Sequence, residues 1–310
     1  MKLFSIENAR LPEPFRKKPI ILTLQDRISL LVGSFTLLPL RVLLLIPSVF
    51  VVWFSSNVGL IGMNEEMPAF GYRRNLQNFN KCLVRVIMRV CFGFTSPKIT
   101  GELLPAFSAP VIAVAPHTSM FDFLVGCWLE PWDLCSGLVR DESRRCPILG
   151  TILRFHQMVF VSRGHKRPRG KAIRAITQRL DGSSWGRLII FPEGTTTNGG
   201  FLLPFKKGAF LLGSRTHFVH PVILTYPNRI DSTTWTLGNG SILEIFLLIV
   251  RAMARLVNKV EIEVLPGVEV GPNDNPDDLA ERVRKDVGRK MGVYLYNEDI
   301  SAAEEILHAQ

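Results

Sequence analysis

The sequence predicts an α/β fold in which a largely parallel sheet is flanked by helices, preceded by an N-terminal membrane-embedded helical segment. After about residue 110, short β-branched apolar runs alternate with helical patterns, as is typical of parallel sheets. Two long uncharged runs stand before residue 65. Polar residues follow several of the apolar runs directly, at the strand ends where open α/β sheets bind ligands.

The N-terminal apolar segment consists of residues 28–40 and 42–60, which contain no charge and are separated by Arg41. The second run alone has the length of about 20 residues that a membrane span needs. Pro39 and Pro47 would kink either run. A single span and a helical hairpin that enters the bilayer and returns both fit this pattern.

Composition agrees with a membrane protein of one large domain or two small ones. The chain has 310 residues, of which 47% are hydrophobic, and a mean hydropathy of +0.19. We predict a membrane anchor at residues 1–65 and one further domain at residues 66–310. A cleaved signal peptide is not expected, because about 27 mostly polar residues precede the apolar runs. The basic residues at positions 16–18 place the N-terminus in the cytosol by the positive-inside rule, and five cysteines without a C-x-x-C pair suit a reducing compartment.

The formal charge of +10 is concentrated in residues 163–187, which hold eight Lys or Arg and one acid. Such a patch suits the phosphates of a nucleotide or an anionic membrane surface. No nucleic-acid-binding motif accompanies it, so we expect no nucleic-acid partner. The histidines show no metal-ligand spacing with cysteines or carboxylates, and no metal is expected. The G-x-S-x-G match at residues 182–186 has a helix before it and a strand after it, the reverse of a hydrolase nucleophile elbow.

Several further elements follow from the periodicity of the chain. Residues 70–92 read as a helix with Lys81, Arg85 and Arg89 four residues apart. This helix either lies on the membrane surface or exposes a solvated basic stripe. The other predicted elements are strands at 111–115, 135–139, 158–161, 187–191, 218–224 and 260–265, and helices at 148–156, 170–180, 241–257 and 276–291.

The turn after the strand at 111–115 carries the first candidate site. Pro116 ends the strand, and Asp122 follows Ser119 by three residues, the spacing of a capping box that would start a helix at Ser119. Asp122 can then reach back to one ring nitrogen of His117, leaving the other for a substrate. The positive end of the helix favours the neutral imidazole that a general base needs. The alternative is that Asp122 only stabilises the helix and His117 is an ordinary turn residue.

Three strand ends carry polar residues that would meet at one edge of a parallel sheet. They are His117 with Asp122, then Arg163, and then the run Glu193-Gly194-Thr195. A base, a cation, and a carboxylate beside a flexible glycine together suggest transfer chemistry on a phosphate-bearing acceptor.

Four ordered blocks spanning residues 111–224 resemble the PlsC-type glycerolipid acyltransferases. The first is HTSMFD, which contains His117 and Asp122. The others are VFVSRG with Arg163, FPEGT with Glu193, and PVIL with Pro221. The stretches FPEGTTTNGGFLLPFKKGAF and TYPNRIDSTTW look closest to acyltransferases that use lysophosphatidylcholine or lysophosphatidylethanolamine.

The resemblance implies direct acyl transfer, with His117 as the general base and Asp122 holding its tautomer. Arg163 would bind the acceptor phosphate, and Glu193, Gly194 and Thr195 would shape the acceptor site. The co-substrate would be acyl-CoA, with no cofactor.

Thr196 stands where the phosphatidate-forming branch of the family usually has an arginine. Its presence favours an acceptor whose phosphate already carries a head group, although Lys206 or Lys207 could compensate for the missing cation.

The resemblance therefore indicates a membrane-bound lysophospholipid acyltransferase whose partners are lysophospholipid, acyl-CoA and the bilayer. No obligate protein partner is implied. An integral protein of the endoplasmic reticulum, with its active site towards the cytosol, would suit these substrates. The first alternative is a 1-acylglycerol-3-phosphate or glycerol-3-phosphate acyltransferase. The second is a catalytically silent membrane-binding homologue.

Overall fold

The computed structural model describes residues 12–16, 21–126, 128–129, 135–162, 170–182, 184–228, 230–236 and 242–297. Within them lie the helices α1 (Leu24–Leu60), α2 (Tyr72–Val90), α3 (Asp122–Gly126), α4 (Pro147–Phe155), α5 (Gly170–Asp181), α6 (Ile242–Ala254) and α7 (Pro276–Met291). The strands are β1 (Lys98–Thr100), β2 (Val111–Ala115), β3 (Cys135–Arg140), β4 (Val159–Val161), β5 (Arg187–Ile190), β6 (Phe201–Leu202), β7 (His217–Thr225), β8 (Glu261–Val264), β9 (Val268–Val270) and β10 (Tyr294–Leu295).

The main sheet has the strand order β1-β8-β7-β2-β5-β3-β4, with β9 paired to β7. Strands β7, β2, β5, β3 and β4 run parallel to one another, whereas β8 and β9 pair with β7 in the antiparallel direction. The predicted α/β fold with a largely parallel sheet is therefore confirmed. Strands β6 and β10 form a separate two-stranded sheet.

The sheet separates two apolar clusters because successive side chains of a strand point to opposite faces. In β2, Ile112 and Val114 enter one cluster together with residues of α2 and α6. Val111 and Ala113 enter the other, with residues of α5 and α7. Helices thus cover both faces of β2, which is completely buried.

The N-terminal apolar runs form one continuous helix, α1, of 37 residues that includes both Pro39 and Pro47. At 1.5 Å per residue it is about 55 Å long, and it is long and apolar enough to cross a membrane by length and composition. Thr23 and Asp26 begin it with a capping box. The hairpin alternative is therefore wrong, since the two runs belong to one continuous helix.

Helix α1 packs along the rest of the protein over much of its length. Near its start, a Cβ on Gly33 would overlap the carbonyl oxygen of Ala254 at the end of α6. Near its end, a Cβ on Gly59 would overlap the ring of Phe155 in α4. Residues before the predicted boundary at 65 therefore take part in the same packing as residues after it.

Helix α2 exposes only part of the basic stripe that its spacing suggested, since Arg89 is exposed and Arg85 is partly exposed. Lys81 is buried, although it belongs to the same four-residue spacing of basic residues as Arg85 and Arg89. Phe79 and Val86 are among the exposed side chains of this helix. The interpretation as a surface helix with a fully solvated basic stripe is thus wrong at Lys81.

Candidate active site

Three loops meet at the carboxyl end of the parallel strands. Ala113 pairs with Ile190 at the end of β5, and Ala115 pairs with Ile223 near the end of β7. The loops that carry His117, Glu193 and Tyr226 therefore leave the sheet at the same edge, as the sequence predicted for the first two.

His117 and Asp122 form the contact that their spacing predicted. Nδ1 of His117 lies 2.8 Å from Oδ2 of Asp122. The carboxylate is completely buried, whereas the imidazole retains 20% of its exposure. The contact occupies one ring nitrogen, which leaves Nε2 for a substrate hydroxyl.

The Asp122 carboxylate accepts three further hydrogen bonds. The backbone N–H groups of Thr118 and Ser119 donate to Oδ2 at 2.8 and 2.9 Å. The hydroxyl of Tyr226 donates to Oδ1 at 2.5 Å. These donors fix both oxygens and hold the carboxylate towards His117.

Tyr226 was not among the predicted site residues. It is half-buried beside Asp122, and the burial of its hydroxyl, followed by the Asp122 charge, raises its pKa well above the ordinary value of a tyrosine. The hydroxyl is therefore protonated and able to donate at neutral pH. A signal was present in the sequence, since Tyr226 follows β7 directly, at the edge where the other site residues were expected.

The turn between β2 and α3 differs from its prediction in one respect. Helix α3 begins at Asp122, not at Ser119, and has five residues. The Asp122 carboxylate accepts from the Ser119 N–H, as in a capping box. The Ser119 hydroxyl, however, accepts from the Phe121 N–H at 3.1 Å and not from the Asp122 N–H. The carboxylate, and not the imidazole, therefore receives the N–H groups of this turn.

Glu193 supports the backbone of His117. Its Oε1 accepts the His117 N–H at 2.7 Å, and its Oε2 accepts the Leu203 N–H at 3.1 Å. The side chain is completely buried, and this burial raises its pKa to about 8 although both backbone hydrogen bonds favour the charged form. The structure thus places Glu193 in contact with the main chain of the loop that carries His117.

Other residues of this loop contact His117 through its ring and through its main chain. The Phe191 ring stacks on His117 with centroids 4.1 Å apart and an angle of 19° between planes. Gly194 has a φ of +71°, a conformation that L side chains rarely adopt, and a Cβ there would lie 2.8 Å from Nζ of Lys206. Thr195 is buried, and the Thr197 N–H donates to the His117 carbonyl at 2.8 Å.

The predicted phosphate ligand Arg163 lies outside the described residues, so its role stays a prediction. Strand β4, which precedes it, ends at Val161 and runs parallel to β3.

Two arginines of the basic stretch at residues 163–187 are structural. Arg179 is buried and donates to Ser136 Oγ at 2.6 Å and to the Gln157 carbonyl at 2.5 Å. Its burial lowers its pKa to about 10. Arg187 is also buried and donates to the Ala109 carbonyl at 2.7 Å. The expectation that the whole stretch forms one phosphate-binding surface is wrong for these two residues.

A histidine held by a buried carboxylate at the carboxyl edge of a parallel sheet is an arrangement suited to activating a hydroxyl. A family model described as Acyltransferase matches residues 96–227, which include the three loops of the site. The chain belongs to the PlsC-type glycerolipid acyltransferase family.

Individual relatives agree with this family. Lysophosphatidylcholine acyltransferase 2 of Homo sapiens is 33% identical over 290 residues, which cover 91% of this chain and 51% of that protein. Lysophospholipid acyltransferase LPCAT4 of Xenopus tropicalis is 36% identical over 238 residues, covering 75% of this chain and 44% of that protein. The chain thus spans about half the length of the curated relatives it matches.

The fold is also similar to a solved structure. The 1-acyl-sn-glycerophosphate acyltransferase PlsC from Thermotoga maritima superposes with a TM-score of 0.51 and 15% sequence identity, covering 86% of this chain and 97% of that one. The likeness concerns the fold, including the placement of helices around the sheet.

Proposed function

We propose that this chain is a membrane-bound, acyl-CoA-dependent O-acyltransferase that acylates the free hydroxyl of a lysophospholipid. Lysophosphatidylcholine and lysophosphatidylethanolamine are the proposed acceptors. The observation that carries the proposal is the 2.8 Å contact of His117 with a fully buried Asp122, in a chain whose relatives are named for this activity.

The geometry supports a general-base mechanism. Asp122 binds Nδ1 of His117, so Nε2 accepts the proton of the lysophospholipid hydroxyl as its oxygen attacks the thioester carbonyl. The Asp122 charge stabilises the imidazolium that forms. As the tetrahedral intermediate collapses, the bond from carbon to sulfur breaks, and the imidazolium returns its proton to the leaving coenzyme A thiolate.

Glu193 and Phe191 contribute by positioning the base. Glu193 fixes the main chain of His117 from below, and Phe191 stacks on its ring. A general base acts efficiently only if its nitrogen is held within hydrogen-bond reach of the reacting hydroxyl. The proposed role of Glu193, Gly194 and Thr195 in shaping the acceptor site is compatible with their place in the loop that supports His117.

The acceptor class rests on a finer observation. Thr196 supplies no cation after the EGT run, which favours a phosphodiester that already carries a head group. Lys206, however, lies against Gly194 and supplies a cation beside the same loop. This contact supports the second candidate, an acyltransferase that uses lysophosphatidate or glycerol-3-phosphate.

The membrane location follows from the proposed substrates and from α1. Lysophospholipid resides in the bilayer, and coenzyme A is soluble in the cytosol. The endoplasmic reticulum, with the active site towards the cytosol, is therefore the proposed location.

Acyl transfer by the purified protein in mixed micelles tests the proposal. Labelled oleoyl-CoA is offered with lysophosphatidylcholine, lysophosphatidylethanolamine, lysophosphatidate and glycerol-3-phosphate in parallel. We expect transfer to a lysolipid with a head group, and we expect His117→Ala to abolish it while leaving the thermal unfolding transition in place. Preference for lysophosphatidate would establish the second candidate. Transfer to no acceptor by a folded protein would leave the silent homologue as the better description.

A further inference from the structure

Helix α6 exposes apolar side chains and shields its charged ones. Leu243, Phe246 and Leu247 are 64%, 59% and 47% exposed, and their spacing of three and four residues places them on one face of the helix. Glu244 and Arg251 are only partly exposed, and the pKa of Arg251 is lowered by burial. A helix facing water has the opposite arrangement, so this face suits an apolar surrounding.

The same helix packs against the candidate membrane helix α1. Gly33 permits close approach to the backbone of Ala254. Arg41 donates to the carbonyls of Met253, at 2.7 Å, and of Arg255. This arginine, which interrupts the apolar runs of α1, thereby satisfies carbonyl groups at the carboxyl end of α6.

Helix α1 also exposes apolar side chains near its contact with the carboxyl end of α6. Beside Gly33, α1 exposes Leu31, Val32 and Phe35. Isolated exposed apolar residues are normal in soluble proteins, but contiguous exposed apolar patches mark interaction surfaces. Because α6 has 13 residues and is about 20 Å long, it is too short to cross a bilayer, and it suits a position within one interface.

This surface is close to the catalytic loop along the chain. The Trp235 N–H donates to the Thr118 carbonyl at 2.7 Å, and Thr234 forms a β-bridge with Ser119. Helix α6 begins at Ile242. A chain of seven residues reaches at most about 25 Å, so the first turn of α6 lies within that distance of Trp235.

We propose that α6 is a second lipid-facing element, with Leu243, Phe246 and Leu247 inserted among the acyl chains beside α1. The occupant of this surface is the bilayer. The proposal deepens the proposed function. If α6 lies in the bilayer, the membrane that holds the lysophospholipid comes close to the loop of His117, and only this consequence rests on the proposed function.

Nitroxide accessibility in vesicles tests this placement. The whole chain, with the exposed Cys82 and Cys146 and also Cys127 replaced by serine, is reconstituted into phosphatidylcholine–phosphatidylethanolamine vesicles with a spin label at Phe246→Cys. Leu243→Cys is labelled in parallel as a second position on the same face. Lys285→Cys, an exposed position on α7, is the matched control.

We expect labels at positions 243 and 246 to collide more with oxygen, which concentrates in lipid, than with a water-soluble nickel complex. The label at position 285 should show the reverse. Nickel accessibility at 246 equal to that at 285 would overturn the proposal. Protection from both reagents would also overturn it, since a second copy of the chain would then cover the face.

Acyl transfer is measured on the same vesicles, which separates the two proposals. Lipid exposure at 246 without transfer to any acceptor would contradict the proposed function alone. Transfer with a water-exposed label at 246 would contradict the lipid-facing role of α6 alone.

Discussion

The hydroxyl of Tyr226 lies 2.5 Å from Oδ1 of Asp122, the carboxylate oxygen opposite the one that contacts His117. Tyr226 follows the last residue of β7, and Asp122 begins α3, so the hydrogen bond joins two loops at the edge of the sheet. It prevents the carboxylate from rotating away from the imidazole. Residues that orient a catalytic or metal-binding group in this way commonly affect turnover without touching the substrate.

Replacing Tyr226 by phenylalanine should therefore reduce kcat while changing KM little. Hydrogen bonds to charged groups contribute about 1.5–3 kcal/mol. If about half of this stabilisation is lost in the transition state, kcat falls by about tenfold. Steady-state kinetics of Tyr226→Phe measures this. Tyr294→Phe removes the hydroxyl of an exposed tyrosine and should retain wild-type kinetics. Unchanged kcat in Tyr226→Phe would show that the backbone donors alone suffice to hold Asp122.

Replacing Asp122 by asparagine should have a much larger effect on turnover. An amide offers one oxygen where the carboxylate serves four donors at two oxygens, and it carries no charge to stabilise the imidazolium. Loss of this function in a comparable triad reduces kcat by about 10⁴, and we expect a loss of at least about 10³ here. Single-turnover acyl transfer by Asp122→Asn checks it. Residual activity above a tenth of the wild type would contradict the role assigned to Asp122.

The sequence predicted the His117–Asp122 contact from the local spacing of the turn after β2, whereas the sheet and the meeting of its loops followed from the strand pattern. Short β-branched runs form buried strands, and parallel strands end at a common edge, so residues after the strands meet there. Tyr226 follows the same rule and lies in the stretch TYPNRIDSTTW, but the family resemblance assigned a block only to Pro221 within β7. Its role depends on a hydroxyl reaching a carboxylate 104 residues earlier, a distance in sequence that no local pattern encodes.

The basic residues show where charge patterns mislead. Arg179, Arg187 and Lys81 contribute to the apparent basic surfaces along the sequence, yet all three are buried. Backbone carbonyls accept from both arginines. Carbonyl groups carry no side-chain signature, so a sequence does not reveal which arginines they will satisfy. Arg41 is a further example, because its partners at the end of α6 lie more than 200 residues later.

The packing of α1 on α6 depends on Gly33. A methyl group at this position would overlap the Ala254 carbonyl, so Gly33→Ala should destabilise the folded protein by about 1–3 kcal/mol despite the better helix propensity of alanine. Thermal unfolding in detergent should show a lowered Tm. Gly170→Ala is the matched control, since no atom of the described residues lies within 4 Å of a Cβ there. An unchanged Tm in Gly33→Ala would mean that α1 is not tightly docked on α6.

Glu193 should make stability depend on pH. Burial raises its pKa to about 8 from the ordinary value of 4.5, so the unfolded chain loses this proton at lower pH than the folded protein does. The contribution of Glu193 to the free energy of unfolding is most favourable below about pH 4.5. It declines as the pH rises between about 4.5 and 8, and it is lost above about pH 8.

Glu193→Gln removes the titration and should therefore weaken the decline of Tm between about pH 5 and pH 8. Near pH 5 the variant should be less stable than the wild type, because an amide cannot accept from both the His117 and Leu203 N–H groups, and an unsatisfied buried donor costs about 1–3 kcal/mol. Thermal unfolding across this pH range tests both effects, with Glu261→Gln, an exposed acid of β8, as the control. Parallel pH profiles for the wild type and Glu193→Gln would show that Glu193 has no raised pKa. The gap between the two proteins should instead narrow as the pH increases, since the buried charge burdens only the wild type.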